Sequence, residues 1–80
     1  MKNITPLDEC VRLNLQRYLT DLGDMPPHNM WQMVIHHVEK PLLEVAMGYA
    51  QGNQSRAAKA LGMTRNTLRK KLIEHQLIEP

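Results

Sequence analysis

Apolar residues recur at helical spacing along most of the chain, which predicts a fold built from α-helices. The first stripe fits one face of an amphipathic helix that packs on the core and ends near Gly23. Its residues are Leu7, Val11, Leu15, Tyr18 and Leu22. Before them, Thr5 offers a cap, Pro6 suits the first helical position and Asp8 suits the first turn. Residues 24–29 form a loop with strong helix breakers, which separates this helix from the next.

A second stripe predicts a long helix that begins near residues 28–30 and continues to Gln51, with Gly52 after it. One of its faces carries Met30, Val34, Val38, Val45 and Tyr49. Residues 41–50 are nearly apolar all round, with Glu44 as the one charge, and a helix of that kind is a buried one. A chain of 80 residues has little else to surround it, so a second copy is expected to cover its other side. A monomer with a groove for a different partner helix is the alternative.

Pro41 is awkward within this stretch. Its nitrogen cannot donate a hydrogen bond to the carbonyl of His37, and its ring crowds that turn. Two helices that meet at Pro41 and one long helix that kinks there both satisfy this constraint.

Residues 53–75 predict a helix-turn-helix. Asn53 is a good N-cap for a helix over residues 54–61, and Gly62 allows the sharp exit that ends it. Thr64 caps a second helix, from Arg65 to about residue 75. Two further features favour the motif, a small residue where the helices approach and apolar side chains on the inward face of the second helix. These residues are Ala58, Leu68 and Leu72.

Charge is segregated along the chain. Residues 53–73 hold six basic residues and no acidic one, whereas residues 1–52 hold four basic and six acidic residues. Arg65 would open the second helix, where the helix dipole disfavours a positive charge unless an anion or an acceptor-rich base edge comes close. Asn66 and Lys70 lie opposite the inward face of that helix. A basic patch on a helix-turn-helix predicts DNA binding, and a solvated basic helix that contacts nothing is the alternative.

Composition narrows the remaining possibilities. The chain has no Phe, one Trp and two Tyr, so an aliphatic core containing methionine is expected. No apolar run is long enough to span a membrane and there is no signal peptide, which favours the cytoplasm. The single cysteine, Cys10, is expected to be buried and reduced. The four histidines lack metal-ligand spacing, so we expect them at the surface and expect no metal site. We also expect no cofactor and no enzymatic activity.

Several motifs resemble the Fis family (factor for inversion stimulation) of bacterial nucleoid-associated proteins. The segment GNQSRAAKALGMTRNTLRKKL, residues 52–72, carries GNQ-x-RAA and G-x-x-R-x-TLRKKL, and residues 38–43 carry VE-x-PLL. The similarity covers about residues 6–77. It implies an all-α fold, in which a four-helix subunit with a C-terminal helix-turn-helix forms an intertwined homodimer and the proline kinks a continuous helix. The domains would be a lead at 1–5, dimerisation helices at 6–51 and the DNA-binding unit at 53–76.

The resemblance also implies a set of DNA-facing residues. They are Asn53, Ser55, Arg56, Thr64, Arg65, Thr67, Arg69, Lys70 and Lys71. Arg65 is the candidate for base reading, because a guanidinium can make two hydrogen bonds to guanine in the major groove. Six of the others would mainly contact phosphates: Asn53, Arg56, Thr67, Arg69, Lys70 and Lys71. Ser55 replaces a threonine of the family, and Thr64 replaces an asparagine that contributes to base contact, so sequence preference is expected to differ there.

Two departures from the family limit the expected activities. Five residues precede the first helix, so contact with site-specific invertases through an N-terminal arm is not expected. Residues 73–75 stand where the family usually has further lysines, which would weaken the backbone grip at that end or shorten the bound site. The sequence therefore predicts a Fis-like homodimer in the nucleoid that binds and bends duplex DNA with a degenerate preference. The alternatives are an operator-specific transcription regulator and a helical module that binds protein or RNA.

Overall fold

A computed structural model describes residues 6–80 and contains four α-helices and no strand among them. The helices are α1 (Leu7–Leu22), α2 (Met30–Tyr49), α3 (Gln54–Leu61) and α4 (Arg65–Glu74). This order confirms the all-α fold with four helices and a C-terminal helix-turn-helix. None of the helices over residues 6–80 is both long enough and apolar enough to cross a membrane.

The chain divides into two units between Met30 and Trp31. The first contains α1, which ends at Gly23 as predicted, with a φ angle of 63° at that glycine. Pro6 occupies the N-cap rather than the first helical position, and its carbonyl accepts the N–H of Cys10 at 3.1 Å. The predicted cap at Thr5 lies outside the described residues.

The side chains of α1 are at most half-buried. Leu7 is exposed, while the rest of its predicted apolar stripe is half-buried. The packing of this stripe on a core stays a prediction. Cys10 is exposed, so the expectation of a buried thiol was wrong. Cys10 lies outside the apolar stripe of α1, so its position on the helix gives no reason for burial.

The second unit begins with α2, which runs without a break through Pro41. The version with two separate helices is therefore wrong, and the continuous helix is confirmed. The helix ends at Tyr49 rather than Gln51. Gln51 and Gly52 have left-handed backbones, with φ angles of 54° and 84°, and the N–H of Gly52 bonds back to the carbonyl of Met47 at 3.0 Å. This arrangement satisfies a carbonyl that the helix end would otherwise leave without a partner.

The core lies on a different face of α2 from the stripe that contains Val45 and Tyr49. Leu43, Ala46 and Ala50 are buried, whereas Val45 is 71% exposed and Tyr49 is 61% exposed. A helix that is apolar on both sides gives no preference between them from its sequence. The inward face is set by α3 and α4, which contribute the rest of the core: Ala57, Ala58, Leu68 and Leu72.

Candidate nucleic-acid interface

The helix-turn-helix is capped at each start by the predicted side chain. Asn53 Oδ1 accepts the N–H of Arg56 at 3.1 Å, and Thr64 Oγ1 accepts the N–H of Thr67 at 3.1 Å. The hydroxyl of Thr64 also lies 3.0 Å from that of Thr67. These bonds satisfy backbone donors that the first turn of a helix leaves without partners, and each cap is worth about 1 kcal/mol.

The turn between α3 and α4 depends on Gly62. Its φ angle is 79°, in the left-handed region that L side chains avoid, so glycine ends α3 there at little steric cost. The N–H of Met63 then bonds back to the carbonyl of Ala58 at 3.0 Å. The turn between α3 and α4 therefore needs only Gly62, Met63 and Thr64.

Alanine and leucine side chains hold the two helices together. Ala57 and Ala58 are buried on α3, and they allow α4 to approach closely. Leu68 and Leu72 are fully buried on the inward face of α4, as their spacing predicted. Because both leucines are enclosed, the outward face of α4 is fixed relative to α3 by packing as well as by the turn.

The outward surface is basic and accessible. Eight of the nine candidate DNA-facing residues are exposed, and the ninth, Lys71, is half-buried. The exposed ones are Asn53, Ser55, Arg56, Thr64, Arg65, Thr67, Arg69 and Lys70. The first turn of α4 contains no acidic residue, so Arg65 stands at the positive end of the helix dipole without a carboxylate beside it in that turn. Such an end favours an approaching anion.

Arg56 is held in place by an aromatic ring. Its guanidinium carbon lies 4.7 Å from the ring centre of Tyr49, at the end of α2. A cation over the face of a tyrosine at the surface is stabilised by about 0.5–1 kcal/mol. The contact orients the arginine at the start of α3 while leaving its side chain exposed.

Lys71 differs from the other cations of α4 because it is already paired. Its Nζ lies 2.7 Å from Glu39 Oε2, on α2. The Glu39 carboxylate accepts a hydrogen bond from Lys71 and also pairs with His75. The contact with Lys71 has the larger effect, and together they hold the pKa of the Glu39 carboxyl below its usual value. The same bond to Glu39 raises the pKa of Lys71. The lysine thus links α4 to α2 across 32 residues of sequence.

His75 is buried, so the expectation that all four histidines lie at the surface was wrong. Its Nε2 lies 2.9 Å from Glu39 Oε1, and its ring stacks on that of His36 with 4.7 Å between the centres. Burial follows from helical spacing, since residue 75 continues the inward face of α4 after Leu68 and Leu72. That signal was available in the sequence, whereas the contact with Glu39 was not.

Comparison with known proteins identifies the family. The family model for bacterial regulatory proteins of the Fis family matches residues 35–79. A protein of Neisseria meningitidis serogroup A, whose name describes it as Fis-like and DNA-binding, is 50% identical over 72 residues, covering 90% of this chain and 91% of the relative. The DNA-binding protein Fis of Buchnera aphidicola is 43% identical over 77 residues, covering 95% and 79%. The capped helix-turn-helix with its exposed basic surface lies within the matched segment, and the chain belongs to the Fis family of bacterial regulatory proteins.

Proposed function

We propose that this protein binds duplex DNA as a homodimer, bends it, and acts in the bacterial nucleoid as a regulator with a degenerate sequence preference. The observation that carries the proposal is the capped helix-turn-helix, whose outward face presents exposed arginine and lysine side chains. Membership of a regulatory family supports it. The names of its relatives, which describe them as DNA-binding, point the same way.

An exposed apolar stripe on α2 supports the homodimer. It contains Ile35, Val38, Leu42, Val45 and Tyr49, which are 36% to 71% exposed. The spacing alternates between three and four residues, which is the pattern of a seam where two helices pack together. A monomeric domain rarely leaves so continuous an apolar surface in water. A second copy of the same stripe would cover it, in a symmetric pair.

The DNA-binding roles follow from position on the motif. In a helix-turn-helix, the start of the second helix meets base edges while the first helix crosses the backbone. Arg65, at the start of α4, is therefore assigned to base reading. Six further residues are assigned mainly to the phosphates, which fix the position of the protein without selecting sequence. They are Asn53, Arg56, Thr67, Arg69, Lys70 and Lys71. Lys71 retains N–H donors besides the one used by Glu39, and its side chain is one-third exposed, so it can serve both partners.

Degenerate preference follows if affinity depends on DNA shape. Two recognition helices in a fixed dimer impose one separation on the duplex, and sequences that bend easily accommodate it at lower cost. Bending a site of 20–30 base pairs costs on the order of 1–6 kcal/mol, depending on sequence. That range is large enough to rank many sites without a strict consensus.

A paired set of variants tests the assignment of roles. Arg65→Ala should reduce the preference for the selected duplex over a random one by about 1–3 kcal/mol. Lys70→Ala should weaken binding to all sequences and reduce the slope of log affinity against log salt concentration by about 1. Mobility shifts on a preferred and a random duplex across a salt series measure both quantities. Lys40→Ala, at an exposed lysine of α2, is the control. Equal losses on both duplexes for both variants would contradict the assignment.

Sedimentation equilibrium and duplexes of different curvature test the rest. The wild type should sediment as a dimer, and Val45→Asp should weaken the pair, because Val45 is 71% exposed within one subunit and lies in the stripe. A wild type that sediments as a folded monomer at micromolar concentration would refute the homodimer. We expect tighter binding to a pre-bent duplex than to a straight duplex with the same end sequences. Equal affinity for the two would refute bending.

A further inference from the structure

Three side chains capable of binding a metal ion meet between α2 and the end of α4. They are His36, Glu74 and His75, and one ligating atom from each lies within 4.8 Å of the other two. His36 and Glu74 are exposed, whereas the His75 side chain is 1% exposed. The spacing of the histidines predicted no metal site, because His36 is far along the chain from Glu74 and His75.

The hydrogen bonding of His75 leaves one ring nitrogen without a partner. Nε2 lies 2.9 Å from Glu39 Oε1, while Nδ1 is buried and has no hydrogen-bond partner among the described residues. A carboxylate accepts hydrogen bonds, so Glu39 favours the tautomer that carries the proton on Nε2. Nδ1 then holds a lone pair in a site where its burial is unfavourable.

This is the arrangement in which a histidine binds a metal. A ligating imidazole commonly donates its other N–H to a carboxylate, which fixes the tautomer and the ring orientation. Glu39 occupies that second position, and its other oxygen is held by Lys71 at 2.7 Å. The carboxylate is therefore fixed by two partners before any ion arrives.

We propose that His36, Glu74 and His75 bind a divalent transition-metal ion, with Glu39 as the residue that positions His75. Two imidazoles and one carboxylate suit Zn²⁺ and similar first-row ions better than Mg²⁺ or Ca²⁺, which prefer oxygen ligands. Bonds of about 2.0–2.2 Å need ligand atoms roughly 3–4 Å apart, so the side chains must close by about 1 Å. An imidazole nitrogen binds a metal in the plane of its ring, so His36 must also turn out of its stack on His75. The exposed positions of His36 and Glu74 permit these movements.

The site leaves room for a further ligand. His36 and Glu74 both line a cleft of about 430 Å³, together with Trp31 and Gln32. Three protein ligands and an open fourth position are typical of zinc sites that exchange water or another ligand. An ion bound there would join α2 to the C-terminal end of α4, the helix that carries the basic surface.

Zinc titration of the full chain tests the proposal. Cys10 is an exposed thiol, so the parent protein carries Cys10→Ser to remove a competing ligand. Competition with a chromophoric chelator should give one Zn²⁺ per chain. His36→Asn and Glu74→Gln should each weaken the affinity at least about tenfold, and Glu39→Gln should weaken it through the orientation of His75. Both ligand positions are exposed, so these variants should fold, which circular dichroism verifies.

Two matched controls separate this site from general surface binding. His37→Asn changes the adjacent exposed histidine, and Glu44→Gln changes an exposed glutamate of α2. Both should retain the parent affinity. Co²⁺ should give a visible absorption spectrum in the parent that His36→Asn abolishes. No saturable binding, or equal affinity in the parent and in His36→Asn and Glu74→Gln, would overturn the proposal, and neither result bears on DNA binding.

Discussion

Glu39→Ala is expected to destabilise the second unit, because one carboxylate holds two side chains of α4. The substitution leaves the buried His75 without its partner, which costs about 1–3 kcal/mol. It also removes the ion pair with Lys71, whose side chain is 32% exposed, and a pair that accessible to water contributes only about 0–1 kcal/mol. The free energy of unfolding should therefore fall by about 1–4 kcal/mol. For a chain of this size, Tm falls by about 4–8 °C for each kcal/mol lost.

Thermal and urea unfolding, followed by circular dichroism, measure the change. Protein concentration must be equal across variants, because the stability of an oligomer depends on it. A chelator in the buffer excludes any metal contribution. Glu44→Ala is the matched control, since it removes the same charge from an exposed position on the same helix. The reasoning is refuted if the two variants unfold within about 0.5 kcal/mol of each other, the range expected for surface substitutions.

The remaining predictions concern the backbone and the response to acid. Gly62→Ala should cost about 1–2 kcal/mol because φ is 79° there, whereas Gly48→Ala, within α2 and outside that region, should be neutral or stabilising in the same unfolding assay. Pro41→Ala should straighten α2 and change the affinity of the proposed homodimer; unchanged helicity, Tm and sedimentation would contradict this. The folded protein lowers the pKa of Glu39 from its usual value of 4.5. With chelator present, the free energy that Glu39 contributes to folding should be fully present above pH 4.5 and lost as the pH falls through the lowered pKa. Acid unfolding of Glu39→Ala should lack this component, and identical pH profiles would contradict the link to Lys71 and His75.

Local signals explain why the helix-turn-helix could be predicted well. Asn53, Gly62 and Thr64 each act through a hydrogen bond or backbone angle within a few residues, and the structure confirms all three. The inward positions of Leu68 and Leu72 follow from one helical repeat. These features depend on short stretches of chain, which a sequence contains in full.

Features set by distant contacts were missed. The face of α2 that meets the core could not be predicted because the helix is apolar on both sides, and α3 and α4 decide between them. The contact of Glu39 with His75 spans 36 residues, and no local pattern indicates it. The ion pair of Lys71 with Glu39 was missed for the same reason, because the sequence indicated only a DNA-facing role for this lysine.

Trp31 gives this molecule an internal optical reporter. It is the one tryptophan of the chain, it is 77% exposed, and it lines the same cleft as His36 and Glu74. Indole emission is sensitive to nearby water, charge and paramagnetic ions, so its fluorescence should respond when that cleft becomes occupied. Occupancy could thus be followed at low concentration without attaching a dye.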